Sequence, residues 1–355
     1  MMTANQVPAR PWEGDRVSPN LDPYGRGIVV LNGGNMQSRL GAAAATFTIM
    51  ALAGCSGTTQ SNLTPGNGSL TPSARIAISL RSGDTNAAGV LPQTRGALLY
   101  VSEPYANAVA MYTYPQLQPA GQLSGIPDPE GLCVNRRTGD VWVVSGFPTA
   151  QFTEFRHGGM RPIHKIKFGS MDYTQSCAVD PTTGDFAVTD NLAHGLRGAI
   201  IVFGAKDKTY RDPSLVNYAF VSYDDSGDLF VDGLSFRTPT GIAELRPGKR
   251  HFRNFPLEGT RMYHPGGLRY LKGSLVIGAT GHHVIYQTSN GMVNGSTTLL
   301  GACNVEQFDI DEDVVIVPSA CRSDGAVLIY NYPAGGTPIA KITHVNAPFA
   351  AVISR

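Results

Sequence analysis

From Leu98 onward the chain alternates between tight polar turns and short apolar runs rich in β-formers, and it does so six times. The runs are Ala97–Glu103, Gly139–Ser145, Gly184–Asp190, Gly227–Asp232, Gly273–Gly278 and Glu312–Pro318. Their first apolar positions, Leu98, Val141, Phe186, Leu229, Leu275 and Val314, are spaced by 43, 45, 43, 46 and 39 residues. A β-rich period of about 40–50 residues is the signature of propeller blades with four strands each. Other strands recur at matching offsets. An inner strand precedes the turn, as in Glu130–Asn135 and Ser176–Asp180. A third strand follows it, as in Ala199–Phe203 and Ala326–Tyr330, and Pro162–Lys167 or Pro338–Thr343 completes the blade.

The first copy has no inner strand, and the chain ends on the unpaired β-like run Ala347–Arg355. That run is expected to pair beside Leu98–Glu103 and close the ring, removing two exposed sheet edges. Leu98 to Arg355 is 258 residues, or six units of 43. A seven-blade ring would leave about 37 residues per blade and lacks a seventh copy. The expected fold is therefore all-β, a six-bladed propeller closed by a C-terminal latch strand. The 41 glycines and 24 prolines suit its many turns.

The pattern stops upstream of the propeller. Met36 and Arg39 lead into an apolar stretch, Leu40–Ala53, that ends in Leu52-Ala-Gly-Cys55. The stretch is too short to span a bilayer but suits the apolar centre of a secretory signal. The small residues before Cys55 resemble the bacterial lipobox, which implies that the Cys55 thiol is lipidated and becomes the mature N-terminus. The expected layout is 1–35 as a mis-assigned start or disordered extension, 36–54 as signal peptide, 55–95 as flexible tether, and 96–355 as propeller. The tether is rich in Ser, Thr, Gly, Asn and Pro, a composition that cannot offset chain entropy by burial. The expected address is extracytoplasmic, with the chain held to the cell envelope on its periplasmic or outer-membrane face.

Four further cysteines, Cys133, Cys177, Cys303 and Cys321, allow three pairings. Cys133 lies seven residues before Asp140, and Cys177 lies eight before Asp185. They therefore point from opposite faces of equivalent strands, as two neighbouring blades facing each other require. The preferred pairing is Cys133–Cys177 with Cys303–Cys321, against the alternative of four buried thiols. Net charge is +1, which gives no global pull toward nucleic acid. The basic run Arg246–Arg253 falls at the turn between the third and fourth strands of blade four and reads as a solvated hairpin tip.

Nucleophile elbows, His-Glu-x-x-His, phosphate loops and dinucleotide glycine motifs are absent from the sequence. His282 and His283 are adjacent and read as part of a strand, where successive side chains diverge and cannot share a metal. Asp309–Asp313 lacks the glycine and distal glutamate of a calcium loop. Ligands of propellers meet the mouth of the central channel, and the residues expected where the inner strands begin are Glu130, Gln175, His264 and Gln307. One carboxylate, two amides and an imidazole suit a polar small molecule better than a hard divalent cation.

Asp128–Val143 and Cys177–Asp190 resemble NHL-type repeats, and Tyr332-Pro-Ala-Gly-Gly336 is similar to the turn of bacterial propeller lipoproteins. The same superfamily includes gluconolactonase enzymes, which hold a divalent metal through a Glu, an Asn and an Asp. Only Glu130 resembles a member of that set, and it falls on a different blade. The reading is thus a non-catalytic, lipid-anchored binding or scaffold module with no cofactor. Its partners would be the membrane, through the lipid, and an envelope protein, glycan or small molecule, with no nucleic acid. The alternative is a gluconolactonase-like hydrolase, with a divalent metal, at the channel mouth around Glu130, His264 and Gln307.

Overall fold

The computed structural model describes residues 96–146, 149–168, 173–191, 198–236, 240–321 and 324–355. The proposed signal, lipid cysteine and tether lie outside these residues. Six four-stranded antiparallel sheets form the blades. Blade one holds β1 (Leu98–Glu103), β2 (Ala108–Thr113) and β3 (Pro119–Ser124). Blade two holds β4 (Pro129–Val134), β5 (Val141–Ser145), β6 (Ala150–Phe155) and β7 (Pro162–Phe168). Blade three holds β8 (Thr174–Val179), β9 (Phe186–Asp190), β10 (Ala199–Phe203) and β11 (Lys208–Tyr210). Blade four holds β12 (Val221–Tyr223), β13 (Leu229–Gly233), β14 (Gly241–Leu245) and β15 (Arg253–Phe255). Blade five holds β16 (Leu268–Leu271), β17 (Ser274–Gly278), β18 (Val284–Ser289) and β19 (Met292–Thr298). Blade six holds β20 (Asp309–Asp311), β21 (Val314–Cys321), β22 (Asp324–Asn331) and β23 (Ala340–Val345).

The last strand, β24 (Ala351–Ser354), pairs antiparallel with β1 and supplies the inner strand that blade one lacks. Leu98 faces Ser354 and Val101 faces Ala351. The expected latch is therefore formed, and it covers the edge of β1 that would otherwise offer unpaired backbone groups.

Why the turns recur is visible in their chemistry. Gly139, Gly184 and Gly227 adopt φ of +77°, +83° and +86°, a region that side-chain-bearing residues avoid. Ahead of them, Asp180 Oδ1 accepts from the Thr182 N–H at 2.7 Å, and Asp224 Oδ1 accepts from Ser226 and Asp228 N–H at 2.8 Å. Asn135 Oδ1 does the same for Arg137 N–H at 3.1 Å. An Asx side chain followed by a left-handed glycine makes a preformed turn from each inner strand to its neighbour.

The core lies between blades rather than in one central mass. Trp142, Val144 and Phe152 of blade two pack on Phe186, Val188 and Phe203 of blade three. The Trp142 and Phe186 rings stack at 4.3 Å. Each second strand is covered by blades on both sides, which is why β5, β9 and β13 are buried throughout. Outer strands such as β7 are largely exposed. Two disulfides tie the structure, Cys133–Cys177 and Cys303–Cys321, with Cα separations of 5.7 and 5.4 Å. The first joins the inner strands of blades two and three, as their offset in the repeat implies. His282 and His283 differ from the expectation. Both lie exposed in the turn before β18 rather than in a strand, because Gly281 at φ +78° bends the chain there.

Candidate functional site

Buried polar side chains stitch neighbouring blades together near the N-terminal ends of the inner strands. Ser102 Oγ donates to the Glu130 carbonyl at 2.6 Å and accepts from Ala350 N–H at 2.9 Å. Thr189 Oγ1 donates to the Ala219 carbonyl at 3.2 Å. Asp232 accepts from Phe220 N–H at 2.8 Å and Gly266 N–H at 3.2 Å. These groups close backbone hydrogen bonds that the interrupted inner strands would leave open. Burial pushes the Asp232 carboxyl well above the usual carboxylate range, against the lowering effect of those N–H donors.

At the same level the channel is shut. Phe349, just before β24 in blade one, stacks on Phe220, just before β12 in blade four, at 6.2 Å between centroids and 17° between planes. Blades one and four are opposite in a six-membered ring, so this pair crosses the axis. Both rings are buried. Nearby, Gln307 of blade six grips the backbone of Leu132 in blade two: its Oε1 accepts from Leu132 N–H at 3.1 Å, and its Nε2 donates to the Leu132 carbonyl. Gly131 sits so close to blade three that a Cβ there would lie 2.6 Å from the Gln175 carbonyl oxygen.

The four residues expected at the channel mouth are therefore in different settings. Glu130 is fully buried, and its Oε1 accepts from the Tyr173 hydroxyl at 3.0 Å. Gln175 is half-buried and accepts from the Asn191 side-chain amide at 2.9 Å. His264 is exposed in the loop between β15 and β16. Gln307 lines a cavity that lies at the opposite, C-terminal, ends of the inner strands.

This second mouth is a cup of about 70 Å³ touched by all six inner strands. Its wall mixes apolar residues, Leu132, Val221 and Val352 among them, with the polar Ser222 and Gln307 and the charged Arg136, Arg269 and Asp309. Asp309 is buried and fully engaged. Its Oδ1 lies 2.7 Å from Arg269 Nη2 and accepts from Ile310 N–H, while Oδ2 accepts from Ile353 N–H at 2.8 Å. Arg136, in the turn after β4, is held less firmly, with its Nη1 3.8 Å from the exposed Asp225 carboxylate. The signal for these residues was present in the sequence: Arg269 interrupts the inner run Gly267-Leu-Arg-Tyr270 with a charge.

Among the described residues, no group of three or more His, Cys, Asp or Glu side chains is placed to hold a metal ion.

No family model matches the sequence, and no curated protein matches it either. Solved structures match in fold. A chain of a nidogen/laminin complex is 14% identical over 73% of this chain and 99% of its own, with a TM-score of 0.61. A protein of unknown function from Bacteroides caccae is 11% identical over 73% and 99%, with a TM-score of 0.56. TolB from Acinetobacter baumannii is 14% identical over 75% and 68%, with a TM-score of 0.53. At such identity the likeness establishes the six-bladed fold, which hosts many activities.

Proposed function

We propose that this protein is a non-catalytic binding propeller, lipid-anchored through Cys55 and displayed outside the cytoplasm of a bacterial cell. The observation that carries the binding reading is the plugged axis. Phe220, Phe349 and Gln307 fill it near the N-terminal mouth and leave a small cup at the other end. A cup of mixed lining that carries two guanidinium groups suits recognition by shape and charge. Glu130, the acid on which a lactonase-like mechanism would rest, is fully buried, so a substrate would have no path to it.

Two disulfides fit an oxidising compartment, and the Leu52–Cys55 resemblance supplies the anchor. The Tyr332–Gly336 turn and the Asp128–Val143 segment support a place among the NHL-like lipoprotein propellers. One fold relative was solved in a nidogen/laminin complex, so a propeller of this shape takes part in a protein–protein assembly.

The test is hydrolysis of a panel of lactones and esters by the full-length protein, with and without chelator. No turnover beyond background is expected. Hydrolysis that disappears with chelator and with Glu130→Ala would overturn the binding reading. Metabolic labelling with palmitate tests the anchor: label is expected on the native protein and absent from Cys55→Ala.

A further inference from the structure

We propose that the cup at the C-terminal mouth is a carboxylate-binding site, with Arg136 and Arg269 as the two gripping groups. This rests on the binding reading above and names the chemistry of the ligand. Arg136 follows β4 in blade two and Arg269 lies in β16 of blade five, so the two arginines approach the axis from opposite blades. They are close enough that the charge on Arg269 is the first cause pushing the Arg136 guanidinium below its ordinary value, ahead of burial. Asp309 and Asp225 act in the other direction. Two cations facing one another across a small cavity, with one nearby carboxylate already committed, leave a place for a further negative charge.

The hydrogen-bonding inventory agrees. Asp309 Oδ1 lies 2.7 Å from Nη2 of Arg269, and both of its own oxygens are occupied by backbone N–H donors as well, so it fixes the guanidinium without reaching its Nε–H. Arg269 Nε–H is buried with no partner among the described residues. The Asp225 carboxylate stands 3.8 Å from Arg136, beyond hydrogen-bond reach, and its side chain is 72% exposed, while Asp309, the other carboxylate acting on Arg136, is engaged by Arg269 and two backbone N–H groups. Each guanidinium carries five N–H donors in a planar fork that matches the two oxygens of a carboxylate. A volume of about 70 Å³ admits a carboxylate head or a few waters. Leu132, Val221 and Val352 would then flank the aliphatic stem behind the carboxylate. A glutamate or aspartate side chain, the terminal carboxylate of a peptide and a free short acid share this chemistry.

The experiment is calorimetric titration of the full-length protein in detergent micelles. The probes are acetate, succinate, inorganic phosphate, and a short glutamate-rich peptide with its glutamine twin. A carboxylate is expected to bind, and Arg136→Gln to weaken binding about tenfold or more, the scale of one charge-assisted hydrogen bond. Arg269→Lys, which keeps the charge next to Asp309, is expected to bind more weakly than native while melting near the native temperature. Lys249→Gln, on the blade-four hairpin tip, controls for a general loss of positive charge and should bind as native does.

Binding of succinate but neither peptide assigns the site to a small acid; binding of the acidic peptide and not its twin assigns it to a protein segment. Binding of phosphate in preference to every carboxylate, no binding of any acid, or equal loss in Lys249→Gln and Arg136→Gln would overturn the proposal. Lactone hydrolysis measured on the same samples separates the two levels. Turnover sinks the binding reading, whereas silence in both assays sinks only the carboxylate site.

Discussion

His157 Nδ1 lies 2.7 Å from Ser354 Oγ, so a turn of blade two holds the last strand of the ring. The other ring nitrogen faces the Gly96 carbonyl at 3.1 Å, where the chain enters β1. Ser354 Oγ in turn donates to the Gly139 carbonyl. One imidazole therefore touches both ends of the propeller. Replacing it by alanine is expected to destabilise the fold by about 1–3 kcal/mol, the cost of leaving these groups unpaired. Urea unfolding of His157→Ala against native protein measures this. A midpoint within error of native would remove the imidazole from the closure of the ring.

The two disulfides close loops of unequal length, 44 residues for Cys133–Cys177 and 18 for Cys303–Cys321. In the chain-entropy description, removing the first costs about 4 kcal/mol and the second about 3 kcal/mol. The paired serine replacement at 133 and 177 should therefore lower the urea midpoint more than the pair at 303 and 321. The reverse order would mean that local packing, and not loop closure, sets their contribution.

Asp232 makes stability depend on pH. Its carboxyl is raised by burial, so between the ordinary Asp value of 3.8 and its higher folded value the native state holds a proton that the unfolded chain has lost. Stability is then greatest below that window and falls as pH rises through it. Asp232→Asn removes this titration and should flatten the slope of unfolding free energy against pH. The variant will be less stable at low pH, since an amide cannot accept from Phe220 and Gly266 N–H with both of its heteroatoms. An unchanged slope would show that Asp232 does not titrate in this range.

The axis plug can be tested by truncation. Phe349→Ala leaves a cavity against Phe220 and is expected to cost about 3–5 kcal/mol. A double-mutant cycle with Phe220→Ala should reveal a coupling of about 0.5–1.5 kcal/mol beyond additivity. Strictly additive losses would mean that the two rings do not support one another across the channel.

The blades were legible because their signals are local. Gly139, Gly184 and Gly227 must adopt positive φ wherever an inner strand turns back, so the period survives in the sequence although few side chains repeat. The latch was legible for a related reason: the first copy lacks an inner strand, and Ala347–Arg355 is the unpaired β-like run left over. The Cys133–Cys177 pair followed from a one-residue offset against the Gly-Asp turns, which left Cys303–Cys321 as the preferred second bridge.

What the sequence did not show depends on which blades face each other. Phe220 and Phe349 are ordinary apolar residues just ahead of their own inner strands, and they meet only because blades one and four are opposite. Arg136 and Arg269 converge in the same way from blades two and five. Sequence spacing placed the expected ligand contacts at the N-terminal mouth. It carried no information that aromatic rings close the axis there while a cavity opens at the other end.

Metal content and thermal melting of the full-length protein, with calcium or zinc added and after chelation, separate a binding propeller from a metal-dependent hydrolase. No stoichiometric divalent metal and coincident melting curves in all conditions are expected of a propeller that binds its partner through shape and charge. One bound metal per molecule, with a melting shift of several degrees that chelation reverses, would contradict this and point to the hydrolase.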